Sequence, residues 1–232
     1  MKLTIALCFV TALSAIAFEA SVNAGGLFTS GNSDVKQIDA GLELYGQPVL
    51  MLETGLVLIG SYGKQGDETY REKYFAEGSI KYSFTESNFA AARAYWSQDE
   101  ISGIGSESGL SAGLGRELIS GGPFTATLEA GAGILKREST ENVILETSTW
   151  YSGIDLEWQI SDSWAIVESA IFTGDLQDSE NYYIGSVLEA RSAITGSLSF
   201  ITGYDVMHYN QPPTPGNEKT DTALRIQLRF DF

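Results

Sequence analysis

The chain has 232 residues, a hydrophobic content of 43% and a formal net charge of −16. The acidic balance argues against nucleic-acid binding, which needs a basic face, and the apolar content is too high for a disordered chain. The 25 glycines, 11 tyrosines and 11 phenylalanines supply the turn formers and strand formers of a β-rich fold.

The N-terminus has the pattern of an export signal. Lys2 provides the positive region, residues 3–13 are apolar, and Ala15-Ile16-Ala17 offers a cleavage site. The apolar stretch is shorter than the ~20 residues that a spanning helix needs. We predict a signal peptide over residues 1–17, with cleavage after Ala24 as the alternative, and one domain over 18–232. Because Cys8 lies inside the signal, that domain has no thiol for a disulfide or a zinc-thiolate site.

After the signal, apolar and polar residues alternate in segments that turn signals separate. Residues 165–173 fit neither face of such a strand well. The last segment is the clearest, because its apolar and polar residues fall on opposite faces of a strand. Its apolar set is Leu224, Ile226, Leu228, Phe230 and Phe232, and its polar set is Arg225, Gln227, Arg229 and Asp231. Twelve strands are predicted near 19–30, 34–46, 49–62, 70–84, 88–97, 104–118, 123–136, 143–160, 164–173, 182–194, 197–209 and 221–232.

Short turns and longer polar connections alternate strictly between the predicted strands. The short turns are Gln47-Pro48, Thr85-Glu86-Ser87, Ser120-Gly121-Gly122, Ser161-Asp162-Ser163 and Thr195-Gly196, and the longer stretches are 63–69, 98–103, 137–142, 174–181 and 210–220. This asymmetry is typical of outer-membrane barrels. We therefore predict an all-β fold, a transmembrane antiparallel up-and-down β-barrel of about 12 strands, with both termini on the periplasmic side. A soluble lipocalin-like container, with its apolar face inside, is the alternative.

A series of short motifs resembles a known family. The motifs are Ser30-Gly31-Asn32-Ser33-Asp34, Gly113-Leu114-Gly115, Tyr209-Asn210-Gln211-Pro212-Pro213, Asp221 and the terminal Phe232. In this order they resemble the salt-induced outer membrane proteins, the domain-of-unknown-function family numbered 481, over essentially the whole mature chain. The resemblance implies a barrel in the outer membrane of a Gram-negative bacterium, and it carries over no catalytic or ligand-binding residues.

Charged residues of both signs fall on the polar face of the predicted strands, which would line the lumen. Opposite charges on neighbouring strands favour cross-strand pairs, because a buried unpaired charge is costly. Arg225 and Arg229 are expected to lie among Asp205, Glu19 and Asn23 and to seal the closing strands. The predicted lumen charge network comprises Glu43, Arg71, Lys73, Glu77, Arg93, Glu129, Asp155, Glu189, Arg191, Asp205, Arg225 and Arg229.

A lumen largely filled by side chains predicts a structural or envelope-stress role, or limited permeability to small solutes. A narrow diffusion porin is one alternative, because twelve strands lie between filled eight-stranded barrels and open porins. A second is a lipid esterase at the rim that uses His208, the only histidine, with Asn210 orienting the ring. Since alternation places His208 on the lipid face, we predict no enzymatic activity, no catalytic residues and no cofactor.

The expected partners follow from the two kinds of surface. The apolar face predicts contact with outer-membrane lipid and lipopolysaccharide, and Leu224, Ile226, Leu228, Phe230 and Phe232 form the predicted signal for the barrel-assembly machinery. The predicted loops are acidic and could collect divalent cations through hard oxygen ligands, or could simply be solvated. Their acids are Asp67, Glu68, Asp99, Glu100, Glu138, Glu141, Asp175, Asp178, Glu180 and Glu218, against the bases Lys64, Arg137 and Lys219.

Overall fold

The computed structural model describes residues 18–28, 35–100, 103–212, 216 and 218–232. The predicted signal peptide, with its cleavage after Ala17, therefore lies outside the described residues. The same holds for the Ser30-Gly31-Asn32-Ser33-Asp34 motif and for Pro213.

Twelve antiparallel strands form a closed barrel in which each strand pairs with its neighbours along the chain. This confirms the predicted fold class and strand number. No helix among the described residues has the length and hydropathy needed to cross a membrane. The strands are β1 (Phe18–Phe28), β2 (Val35–Val49), β3 (Leu52–Gln65), β4 (Glu68–Ser83), β5 (Asn88–Asp99), β6 (Ile104–Ile119), β7 (Phe124–Ser139), β8 (Ile144–Ser161), β9 (Trp164–Asp175), β10 (Tyr182–Ala193), β11 (Leu198–Tyr209) and β12 (Thr220–Asp231).

The barrel closes where β12 pairs with β1. The register places Ser21 opposite Asp231 and Gly25 opposite Gln227. Beyond this ladder, the backbone N–H of Phe232 donates to the carbonyl of Ala20 at 2.9 Å. Closure matters because lipid cannot hydrogen-bond the backbone groups that an open sheet edge would expose.

The apolar faces of the strands point outward. Leu114, Leu224 and Ile38 are 65%, 67% and 59% exposed, whereas Glu129 and Asp39, on the inward face, are each 6% exposed. A soluble barrel would bury its apolar side chains, so this arrangement contradicts the container alternative. It is the arrangement expected of a barrel surrounded by lipid.

Outward aromatic rings form two belts. In one belt, rings from β8 to β11 make a continuous ladder of Trp150, Phe172, Tyr182 and His208, with successive centroids 5.0, 5.3 and 6.5 Å apart. The second belt lies near the other ends of the strands and includes the exposed rings of Trp158, Trp164, Phe200 and Phe230. Such belts mark the two interfaces of a membrane.

The connections differ in length less than the sequence predicted. We call the end with connections 29–34, 66–67, 100–103, 140–143, 176–181 and 210–219 the loop end, and the end with turns 50–51, 84–87, 120–123, 162–163 and 194–197 the turn end. The predicted loop over 63–69 is wrong, because β3 and β4 continue to a two-residue turn in which Gly66 has a φ of 62°. The predicted loop over 137–142 is also too long, since β7 continues to Ser139 and carries Arg137 into the barrel.

The predicted turn at Gln47-Pro48 is displaced by three residues. Both residues remain in β2, and the turn is formed by Leu50 and Met51, where Met51 has a φ of 72°. The register between β2 and β3 shifts between Gly46 and Val49. Proline has no N–H to donate to a ladder, so it is tolerated where the pairing is irregular.

Single-cysteine labelling tests the orientation of the barrel. Cysteines placed at Asp67, Asp178 and Gly216, all at the loop end, are expected to react with a membrane-impermeant maleimide on intact cells. A cysteine at Asp162, at the turn end, should react only after the outer membrane is opened. Labelling of Asp162 with protection of the other three would reverse the orientation.

Candidate functional site: the lumen

Inward tyrosines lie flat against glycines of the barrel wall. A Cβ atom added to Gly109 would come within 2.2 Å of the Tyr95 ring, and one added to Gly131 would come within 2.7 Å of the Tyr151 ring. Only glycine allows so close an approach of a ring to the backbone. Each hydroxyl is thereby aimed at an acid, and Tyr95 donates to Glu107 at 3.0 Å.

A compact cluster fills the lumen toward the loop end. Glu107 of β6 and Arg137 of β7 are each 8% exposed, and their side chains form an ion pair of 2.5 Å. The Arg137 guanidinium lies over the ring of Tyr209, 5.7 Å from its centroid. The rings of Tyr183 and Tyr209 are 5.9 Å apart, and the side chain of Tyr183 lies close to that of Tyr95. We call Tyr95, Glu107, Arg137, Tyr183 and Tyr209 the loop-end constriction.

The loop-end constriction joins opposite walls of the barrel. Tyr95 comes from β5 and Tyr183 from β10, five strands further round a ring of twelve. Arg137 and Tyr209 come from β7 and β11, which are four strands apart. Contacts between such distant strands must cross the lumen, so these side chains obstruct it.

A second ionic group lies deeper in the barrel. Arg93 of β5 makes a two-pronged contact with Glu129 of β7, at 2.5 and 2.6 Å. The Tyr151 hydroxyl donates to the same carboxylate at 2.6 Å. Glu77 of β4 lies inward, opposite Tyr95. Because Glu129 has three strong donors, its burial costs less than that of an unpaired charge.

Arg225 of β12 binds acids along the wall in the middle of the barrel. Arg225 donates to Asp205 at 2.7 and 2.8 Å and to Glu189 at 3.2 Å, and Arg191 pairs with Glu189 at 2.7 Å. These side chains are partly exposed, with 39% for Arg191 and 30% for Asp205. Arg225 links β12 to β11 and to β10, and Arg191 pairs with Glu189 within β10, so these contacts follow one side of the barrel wall.

The surroundings of Arg229 agree in part with the prediction from the sequence. Asn23 lies directly opposite it in the closing ladder. The ionic partners of Arg229 are Glu43 of β2 at 3.0 Å and Asp231 at 2.8 Å. The predicted partner Glu19 is not among them, because the long Arg229 side chain reaches past β1.

The remaining members of the predicted network are spread over both ends. At the loop end, Arg71 and Lys73 approach Asp39 and Asp99 at 3.9 and 3.7 Å. At the turn end, Asp155 accepts a hydrogen bond from Ser169 at 2.6 Å. The predicted residues thus form several separate ionic groups.

Sequence reasoning missed the residues that narrow the lumen most. Arg137 and Asp99 were assigned to loops, yet both point inward from strand ends that extend past the predicted bounds. Extending the two-residue period of Glu129, Gly131 and Gly133 further along β7 would have placed Arg137 inside. Nothing in the sequence indicates that Tyr95 and Tyr183 meet across the lumen.

His208 lies on the outward face, as predicted, opposite Thr220 of β12. Its Nδ1 is 2.8 Å from the Thr220 hydroxyl. Asn210 does not orient the ring, because its side chain donates to the carbonyl of Glu180 and accepts from Lys219. The Gly109–Gly113 segment matches Gly-x-Ser-x-Gly, but it lies within β6 and not at the strand-to-helix turn that such a nucleophile needs.

The acidic loops are held together by internal hydrogen bonds. Asp175 accepts from the hydroxyl of Thr147, from the backbone N–H groups of Gln177 and Asp178, and from the side chain of Asn181. Among the residues that the structure describes, no three acids, histidines or cysteines are placed to hold a metal ion. Cation binding by these loops remains a prediction.

The predicted assembly strand is the closing strand β12. Leu224, Ile226, Leu228 and Phe230 are all exposed on the outward face. The rings of Phe230 and Phe232 meet edge to face at 4.8 Å. Recognition of this strand by the assembly machinery stays a prediction.

A closed antiparallel barrel with an apolar exterior, two aromatic belts and a charged lumen is a transmembrane β-barrel of the outer-membrane type. The chain belongs to the family described as "Protein of unknown function, DUF481", whose profile matches residues 22–232. This confirms the family that the short motifs indicated.

The chain is similar to other proteins in sequence and, more distantly, in fold. The uncharacterized protein YdiY of Escherichia coli (strain K12) is 25% identical over 217 residues, which are 93% of this chain and 83% of that protein. Two solved barrels share the fold with a TM-score of 0.57. The NanC porin is 8% identical, and the match covers 93% of this chain and 100% of the porin chain. The COG4313 outer membrane channel from Pseudomonas putida F1 is 10% identical, and the match covers 94% of this chain and 96% of the channel chain.

Proposed function

We propose that this protein is a low-permeability barrel of the outer membrane, with a structural role in the envelope and a restricted path for water and small cations. The observation that carries the proposal is the loop-end constriction. Its acid and base are buried against each other, and its tyrosines join opposite walls. A solute as large as a sugar would have to displace these side chains.

The preference for cations follows from the charges that remain on the lumen wall. Near the turn end, Lys81 lies between Glu53 at 3.5 Å and Glu117 at 3.9 Å, so one base faces two acids. Asp155 and Glu157 have no base within ion-pair distance among the described residues, and both point inward. An acidic, partly hydrated wall attracts cations and repels anions.

The narrow diffusion porin is the competing function, and solute uptake distinguishes the two. Proteoliposomes that contain the refolded barrel are expected to swell no faster in isotonic arabinose than protein-free liposomes, because the constriction excludes the sugar. A general diffusion porin reconstituted at the same density is the positive control. Swelling at a rate comparable to that control would contradict the proposed function and favour the porin.

A further inference from the structure

The carboxyl group of Glu168 lies on the outward side of the barrel, midway between the two aromatic belts. The outward residues of β9 run from Trp164 in one aromatic belt to Phe172 in the other, and Glu168 lies halfway between them. The two side chains directly opposite Glu168 are also outward, Leu156 of β8 and Leu188 of β10. Glu168 is therefore placed at the middle of the membrane.

Glu168 is too far from either interface to reach water. Glu168 is four positions from Trp164 and four from Phe172, which is about 13 Å along a strand at about 3.3 Å per residue. The hydrogen bond that the structure gives it comes from the Ser186 hydroxyl, 2.6 Å from Oε1. Lipid tails offer no further partner. Arg116, another charged outward residue, differs because Asn88, opposite it, begins β5 at the turn end.

Two small outward side chains lie beside this pair. Ala170 lies opposite Ser186, and Ala190 lies opposite Ile166 on the other side of Glu168. Small side chains let the backbones of two membrane proteins approach closely. The carboxyl and the hydroxyl are thus accessible to another protein, and an ionisable group at this depth usually has a function.

We propose that the outward face of β9 and β10 around Glu168 and Ser186 binds a second copy of this chain. In its neutral form a carboxyl carries both a donor and an acceptor, and so does a hydroxyl. A two-fold axis through this patch brings Glu168 against Glu168 of the partner subunit. Each neutral carboxyl can then donate a hydrogen bond to an oxygen of the other. A symmetric pair needs the same patch on both copies, and the Glu168–Ser186 pair is complementary to itself.

Disulfide formation in the membrane tests the contact. Ala170→Cys, in a Cys8→Ser background, is expected to give a covalent dimer on mild oxidation. Ala92→Cys is the matched control, because Ala92 is an outward alanine of β5, four strands away round the barrel. Dimers from Ala170→Cys alone support the proposal, and equal yields from both variants contradict it.

Variants of Glu168 show whether the carboxyl drives association. In lipid nanodiscs the wild type and Glu168→Gln should have the mass of a dimer, since both can hydrogen-bond across the axis, while Glu168→Leu should be a monomer. Leucine suits the lipid face, so Glu168→Leu should fold and keep or raise the temperature of its heat-modifiable gel shift. A monomeric wild type, an equally dimeric Glu168→Leu, or a complex with a different protein would each overturn the proposal.

Discussion

Replacing both Tyr95 and Tyr183 with alanine is expected to raise the single-channel conductance severalfold. These two side chains approach each other from β5 and β10, on opposite walls of the barrel. Removing both rings deletes the contact that crosses the lumen and leaves Glu107 facing a wider, hydrated passage. The current through the widened passage should still favour cations, because the acids of the lumen wall remain and the Arg137 charge stays paired with Glu107.

The control for this variant keeps the rings and removes only the hydroxyls. Tyr95→Phe with Tyr183→Phe should conduct almost as little as the wild type, because the Tyr95 ring still covers Gly109 and fills the same space. Heat-modifiable migration on gels confirms that each variant is a folded barrel. Equal conductance of the alanine pair and the wild type would show that the loop-end constriction does not limit the current.

The second large effect is expected on stability. Arg137→Ala removes one partner of a buried ion pair and leaves the Glu107 carboxylate 2.5 Å from where the guanidinium was. Breaking a buried pair in this way costs about 3–5 kcal/mol, because the remaining charge is uncompensated. Urea unfolding of the barrel in detergent micelles, followed by tryptophan fluorescence, measures the loss.

Lys136 provides a matched comparison one residue away in the same strand. It points outward and pairs with Glu146 at 2.6 Å, but the two side chains are 55% and 65% exposed. Water screens such a pair, so Lys136→Ala should leave the unfolding midpoint almost unchanged. Arg137→Met combined with Glu107→Leu should recover most of the stability, since neither charge remains buried. Equal losses from Lys136→Ala and Arg137→Ala would contradict the assigned burial.

The fold could be predicted because a spanning strand has a strict two-residue period. In β12, Leu224 to Phe230 alternate with Arg225 to Asp231 without exception, and this pattern fixes which face meets lipid. The same rule gave twelve strands whose bounds agree with the structure to within three residues. Strand ends were harder, because strands continue past the membrane where the alternation no longer has to separate lipid from water.

The ionic partners could not be read from the sequence, because they depend on the register between strands. Arg229 lies opposite Asn23, as predicted, but it binds Glu43 from the next strand. The meeting of Tyr95 with Tyr183 depends on the circumference of the closed barrel, which no local pattern encodes. Residues 165–173 fitted neither face for a physical reason, since Glu168 points to lipid while Val167 points to the lumen.

The central claim is that side chains close the lumen near the loop end, and the conductance of the wild-type barrel in planar lipid bilayers tests it most directly. The loop-end constriction predicts a small conductance with a modest preference for cations, measured by the reversal potential in a salt gradient. A large, steady conductance in the wild type, of the size that open diffusion porins give under the same salt, would contradict it.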